Sequence, residues 1–285
     1  MAEKSNIQYV DSTVNPVPIC TGCELWQHGI GGSCFAGHSV KRYQGRKGWP
    51  TGFGNYDGGN SYFPERIPNT YKWTGLSGFN RPNKPWLNYM PRIIFVNDMG
   101  DMFSSIVPME TRREIIDQME AGPHYYMVFT KNAKAMAETF NKWGYIPGNV
   151  MPVISITGNM SAPRTRIFWD YLGENVREEL DGVNLGISFE PLTGPISYPD
   201  DVIEGFDWIA IGGASKQAGQ PDTEPFHEEW AKSIIYTARS RDIPIFVKQL
   251  GFNFWRNNER EAVSNNHGSD YDYFPEDLRI REMFK

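Results

Sequence analysis

Residues 92–101 read RIIFVNDMGD. Arg92 opens a short run, Ile93–Val96, that is apolar without alternation; the next five are Asn97, Asp98, Met99, Gly100 and Asp101. A continuous apolar run of this length fits a strand buried on both faces, as in a parallel sheet. The polar residues that follow it mark where an α/β protein enters the loops that carry its chemistry. The pattern recurs along the chain. YYMVF (125–129) leads into Thr130, Lys131 and Asn132, and VISI (153–156) into Thr157, Gly158 and Asn159. LGISF (185–189) leads into Glu190 and Pro191, WIAI (208–211) into Gly212 and Gly213, and IPIFV (243–247) into Lys248 and Gln249.

The stretches between the runs have helical character. Residues 111–121 place Ile115, Ile116 and Met119 on one face, with Thr111 as the expected N-cap. Residues 224–241 place Trp230, Ile234, Ile235 and Ala238 on one face. Strand alternating with helix predicts βαβ units. These runs, with one or two strands before residue 91 and the first at 7–10, predict an α/β fold, a (β/α) barrel that is partial or complete. An open doubly wound sheet is the alternative, but no Gly-x-Gly-x-x-Gly opens a helix here. The expected organisation is one domain over 1–285, with a loop-rich insertion at 45–91 and a C-terminal extension at 252–285.

Composition narrows the class. With 40% hydrophobic and 14% aromatic residues in 285, the chain can bury a large core and is not disordered. Three cysteines are too few for a disulfide scaffold. No apolar run approaches the roughly 20 residues of a membrane span, and MAEKSNIQYV has no stretch of signal-peptide type. A soluble, cytoplasmic protein is expected. The net charge of −6 argues against a general nucleic-acid coat and leaves room for local contact. The insertion is rich in Gly and Pro, yet Trp49, Phe53, Tyr56, Tyr62, Phe63, Tyr71, Trp73 and Trp86 would be costly to leave in water. An ordered cover fits better than a linker.

At the strand ends, Asn97 and Thr157 have a plain reading as caps of the next helix. Lys131, Glu190 and Lys248 are less easily explained that way, because a charge directly after an apolar run points toward a barrel mouth. A mutual ion pair is the structural alternative. Together these residues describe a polar basin for a charged, amino-acid-like or nucleotide-like ligand. Gly212-Gly213 would let the backbone approach such a ligand closely.

All three cysteines lie in one Gly-rich stretch, Cys20-x2-Cys23-x10-Cys34. Thiolates are soft ligands, and three in one loop suggest a metal site. Structural zinc is one reading, with His38 four positions beyond Cys34 as the fourth ligand, or His28 in its place. An iron–sulfur cluster with three protein ligands and one open iron is the other. Spacing alone leans toward zinc; the position of the loop, after the first expected strand, resembles instead the layout of radical S-adenosylmethionine enzymes, which carry a 4Fe-4S cluster there.

The chain resembles a family of phage and bacterial proteins regarded as radical S-adenosyl-L-methionine (SAM) enzymes. The matching segments are Asn15-Pro16-Val17, Cys34-Phe35-Ala36, FVNDMGDMF (95–103) with Val107-Pro108, VFTKNAKAM (128–136), ISFEPLTGPI (187–196), FDWIAIGGAS (206–215) and IFVKQLG (245–251). They fall in the family's order and cover most of residues 14–251. One departure is the spacing: the family places its last two cysteines three positions apart, and this chain has Gly31 there.

The resemblance implies a fold of radical SAM type and a 4Fe-4S cluster on Cys20, Cys23 and Cys34. Its fourth iron would bind the amino and carboxylate groups of SAM. One electron, from a flavodoxin- or ferredoxin-like donor, would cleave the sulfonium to a 5′-deoxyadenosyl radical. Asn97, Asp98, Thr130, Gly212 and Gly213 would bind the cofactor, and Lys131, Glu190 and Lys248 would be catalytic. In these roles Glu190 or Asp98 would accept from ribose hydroxyls or an ammonium, and Lys131 or Lys248 would meet a carboxylate or phosphate. Phage enzymes of this kind look like genome-modification enzymes. The sharpest expectation is an isomerase that turns N-linked glycyl-thymidine in DNA into the C-linked form, with the base flipped into the pocket. Lys41, Arg42, Arg46, Lys47 and the aromatics through Trp73 would offer a basic, stacking entrance, or else a solvated basic stretch beside a packed cover. A repair enzyme resembling spore photoproduct lyase and a zinc-stabilised nucleic-acid-binding protein are the alternatives.

Overall fold

The apolar runs become strands, and polar residues end them. The computed structural model describes residues 1–26, 34–43, 62–216 and 222–284, without the side chains of 40, 41 and 43. His28, Gly31, Arg46, Lys47, Trp49, Phe53, Tyr56 and the Lys41 side chain therefore lie outside the described residues. The chain divides into two compact units, Met1–Val153 with Phe168–Asn184, and Ile154–Ile167 with Leu185–Lys285.

In the first unit, β1 (Ser12–Val14) is followed by α1 (Phe35–Tyr43), and β2 (Ile93–Val96) by α2 (Met109–Glu120). Next come β3 (Tyr125–Thr130), α3 (Ala133–Trp143) and β4 (Val150–Ser155), whose last two residues fall in the second unit. β1 pairs with β2, and β2 with β3, in parallel. Every residue of β2 and β3 is buried, as a strand covered on both faces requires. α3 shows why these segments are helical. Asn132 caps it by accepting from Ala135 N at 3.3 Å, and Gly144 ends it at φ 83°. Ala133, Met136, Ala137 and Phe140 form its buried stripe. α4 (Arg164–Tyr171) passes from one unit's residues to the other's, and α5 (Glu174–Glu178) belongs to the first.

Two expectations are corrected here. Residues 7–10 are not the first strand; Ser12–Val14 is. Tyr9 and Val10 are buried, but by packing: the Tyr9 ring stacks 6.0 Å from Phe129 and 6.5 Å from Phe95. The backbone there is held by a side chain. Lys84 Nζ donates to the carbonyls of Ser5, Ile7 and Val10 at 2.8, 2.7 and 2.7 Å. Thr111 is not an N-cap either, because α2 starts at Met109 with Pro108 at the capping position. Proline pre-sets the turn and leaves Thr111 inside the first helical turn. Within the expected insertion, residues 62–91 include three short 3-10 helices, each opened by a proline, and Ile67, Trp73 and Leu87 of this stretch are buried.

In the second unit, β5 (Gly186–Phe189) is followed by α6 (Pro199–Ile203), and β6 (Trp208–Gly212) by β7 (Phe226–His227). Then come α7 (Glu228–Ser240), β8 (Ile245–Gln249), β9 (Phe254–Arg256) and β10 (Glu259–Glu261). β5 pairs with β6, and β6 with β8, in parallel. The helix expected over 224–241 begins only at Glu228, because Phe226–His227 pair with Phe254 and Trp255 in a small second sheet.

Strand order decides between the two architectures. It runs β1-β2-β3-β4 in the first unit and continues β4-β5-β6-β8 in the second, always in chain order. A doubly wound sheet reverses order at a switch point; a (β/α) barrel does not. The order is that of a (β/α) barrel in part. The outer edges are taken by terminal segments. Ala2 exchanges two hydrogen bonds with Thr13 of β1, both at 2.9 Å. On β8, Val247 N donates to Ile280 O, and Glu282 N to Ile245 O, each at 2.9 Å. Among the described residues no helix is long and apolar enough to cross a membrane.

Candidate functional site

The thiols lie in the first unit, in the connection from β1 to α1. β1 ends at Val14, and residues 12–19 are all buried, so the chain reaches Cys20 through the interior. The loop after β2 holds this segment from below. Asn97 N donates to Val14 O at 2.8 Å, and Val17 N to Asn97 Oδ1 at 3.1 Å. Asn15 donates to Asp98 Oδ1 at 2.5 Å and accepts from Met99 N at 2.9 Å. Asp101 N donates to Ile19 O at 3.0 Å. Gly100 packs so closely that a Cβ would come within 2.7 Å of both Ile19 N and Ile19 O.

Cys20, Cys23 and Cys34 are free and half-buried. Cys20 Sγ accepts from Gly22 N at 3.4 Å. Cys34 caps α1: its carbonyl accepts from His38 N at 3.1 Å, and its sulfur from Gly37 N at 3.3 Å. Trp26 joins the two ends of the motif. It bridges back to Cys23 and lies on Gly37, where a side chain would overlap its ring. Burial pushes the Cys20 thiol up to about 12, and the Asp101 charge adds to the rise. Burial also raises Cys34, against the pull of the Gly37 amide and the Lys131 charge. The thiols also raise one another's proton affinity, Cys23 and Cys34 acting on Cys20, and Cys23 on Cys34.

Among the described residues no group of three or more Cys, His, Asp or Glu side chains is drawn together tightly enough for one metal ion. His38 meets the Trp26 ring edge-on, 5.6 Å between centroids. A four-iron cluster binds each thiolate on a different iron, so its ligands stand farther apart than those of one ion. Cys20 and Cys34 each receive a backbone N–H, from Gly22 and Gly37, and three cysteines are the number of protein thiolates that a four-iron cluster with one open iron takes.

Asp101 is the hub of this site, and it was visible in the sequence only as a second acid after the β2 run. Its carboxylate accepts the Thr130 hydroxyl at 2.9 and 2.8 Å, Phe103 N at 2.9 Å and Lys131 N at 3.2 Å. The expected cofactor-binding residues Asn97, Asp98 and Thr130 thus hold the thiol-bearing loop. Lys131 is half-buried, and its charge lowers the proton affinity of Cys34.

The second unit has its own polar group. Lys248 Nζ and Glu190 Oε1 form an ion pair at 3.1 Å, and Ser188 donates to Glu190 Oε2 at 3.1 Å. Gln249 donates to Gly213 O at 2.7 Å and Ser215 Oγ at 2.8 Å, and His267 Nδ1 lies 2.8 Å from Ser215 Oγ. Burial and the Lys248 charge lower the proton affinity of His267. Ser215 and His267 join Lys248 and Glu190 only in the folded unit, because His267 is far along the chain. The space beside the two glycines is filled by protein. A Cβ on Gly212 would come within 3.3 Å of Glu190 Oε1, and one on Gly213 would strike the Leu250 carbonyl. Of the expected basic, aromatic entrance, Arg42 is exposed on α1, Trp73 is buried, and Tyr62 donates to Ile106 O at 2.7 Å.

A family model described as "Protein of unknown function (DUF5131)" matches residues 4–275, and the chain belongs to that family. No curated protein and no solved structure matches the chain.

Proposed function

We propose that this member of the DUF5131 family is a radical SAM enzyme acting on a modified thymidine in DNA, with Cys20, Cys23 and Cys34 as ligands of a 4Fe-4S cluster. One observation carries the reading: the chain's entire thiol complement is gathered in the connection after β1, with Cys34 at the head of a helix. Bound together, the cluster and SAM would supply one-electron cleavage of the sulfonium and so hydrogen abstraction from carbon. The chain's own residues bind and orient. The amides of Gly22 and Gly37 direct the sulfurs of Cys20 and Cys34 and favour their thiolate forms. Lys131 adds positive charge beside Cys34. The buried segment 12–19 keeps water from the approach to Cys20.

The substrate class rests on the order of the sequence motifs that resemble phage genome-modification enzymes. Within it, the reaction is the conversion of N-linked to C-linked glycyl-thymidine, with an electron from a flavodoxin- or ferredoxin-like donor. The net charge of −6 favours a small contact with DNA at the reacting base over a broad one.

The test is anaerobic purification and reconstitution with iron and sulfide, then reduction with SAM and modified DNA. About four irons per chain, release of 5′-deoxyadenosine or regeneration of SAM, and a shifted glycyl-thymidine peak after digestion are the expected results. A colourless protein holding one zinc would overturn the radical reading. Turnover of irradiated DNA with an unchanged glycyl-thymidine peak would replace the isomerase by a lyase resembling spore photoproduct lyase.

A further inference from the structure

We infer that Asp101, with Gly100 before it, is a positioning residue that fixes Cys20. The inference rests on the cluster reading for its purpose, but its geometry stands without a cluster. Two sets of contacts meet at this one residue. Through its backbone, Asp101 N holds Ile19 O at 3.0 Å, one residue before Cys20. Through its carboxylate, it is anchored to the end of β3 by the Thr130 hydroxyl and Lys131 N, and to its own loop by Phe103 N. Asp101 is buried, so these donors are its partners in place of water.

Gly100 makes the approach possible. Its missing side chain lets the loop lie against the Val17 carbonyl and the backbone of Ile19. A second bond, Thr21 Oγ1 to Ser104 Oγ at 3.0 Å, clasps the other side of Cys20 to the same loop. Cys20 is therefore held on both flanks by the β2 loop, and that loop is tied to the end of β3 by the Asp101 carboxylate and by Asn132, which donates to Phe103 O at 2.9 Å. Cys34 is fixed separately, by the first turn of α1. The two thiols are held by different hydrogen bonds, so loosening the β2 loop should move Cys20 more than Cys34.

The test reads the thiols directly in the full-length, metal-free protein. Wild type, Asp101→Asn, Gly100→Ala and the milder Thr130→Val are pulse-labelled with iodoacetamide, and each cysteine is quantified by mass spectrometry beside a thermal melt. The expected result is Cys20 labelling at least about ten-fold faster in Asp101→Asn and Gly100→Ala, a smaller rise in Thr130→Val, and little change at Cys34. Unchanged Cys20 labelling would overturn the inference. So would an equal rise at all three cysteines, since Asp101 would then hold the whole unit and not one thiol. Iron uptake is measured in parallel. If wild type takes up no iron while the Cys20-specific effect appears, the cluster reading fails and the positioning role stands. If wild type takes up iron and the variants label like wild type, the reverse holds.

Discussion

Glu190 and Lys248, 58 residues apart in sequence, meet at 3.1 Å in the second unit, where the Glu190 side chain is 10% exposed and that of Lys248 23%. An ion pair this enclosed is costly to break from one side, because the remaining charge keeps its desolvation penalty. Lys248→Met is expected to lower stability by about 2 kcal/mol. The double variant Glu190→Gln with Lys248→Met should lose less than the sum of the single changes. Denaturant titration of the four proteins checks this; strict additivity would mean that the two groups act independently.

Lys84 is expected to matter as much as a core residue. Its ammonium meets three carbonyls of the 5–10 segment. Lys84→Met keeps the aliphatic stem and removes the donors, leaving partly buried carbonyls short of partners. The expected loss is about 3 kcal/mol, read as a lower denaturation midpoint with an unchanged slope. A midpoint equal to wild type would show that water replaces the ammonium at no cost.

Gly213→Ala places a methyl group against the Leu250 carbonyl and within 2.9 Å of Phe226 Cβ. Backbone cannot swing aside as a flexible side chain can, so overpacking should cost about 1–3 kcal/mol. Gly148→Ala, where a Cβ meets nothing within 4 Å, is the control. A thermal shift of the same size in both variants would remove the argument from packing.

His124 gives the first unit a pH dependence. Burial lowers its proton affinity below the ordinary 6.5, and the Arg92 charge adds to this, against the Thr70 carbonyl. Below pH 6.5 the unfolded chain takes up a proton that the folded ring refuses. Stability should therefore fall as pH drops through that value, by at most about 1.4 kcal/mol per unit for this one group. His124→Gln should flatten the slope between pH 7 and 5. A slope unchanged in the variant would assign the acid sensitivity to other groups.

The strands were legible because burial on both faces writes itself as an uninterrupted apolar run, as in Ile93–Val96 and Trp208–Gly212. β1 was not, because Ser12-Thr13-Val14 carries two hydroxyls and the more apolar Tyr9 and Val10 stand beside it. Composition reports burial; pairing depends on where the amides find partners, and near Val10 a lysine takes the carbonyls. The cysteines were legible as a group. The parts played by Asp101, Trp26 and Gly37 were not, since each depends on a contact between segments that the chain brings together only on folding. The Glu190–Lys248 pair stood as one of two readings of its residues, and only their distance makes it an ion pair.

A strand with unused amides along one side is a template on which a second chain can build. Here the outer side of β1 meets Ala2, and that of β8 meets residues 280–282, which Arg239 further secures through two hydrogen bonds to Glu282 at 2.8 and 2.7 Å. These few residues cover both edges against edge-to-edge aggregation. Loss of residues 280–282 would bare the outer side of β8 and free Arg239, and the expected harm is chains joining edge to edge.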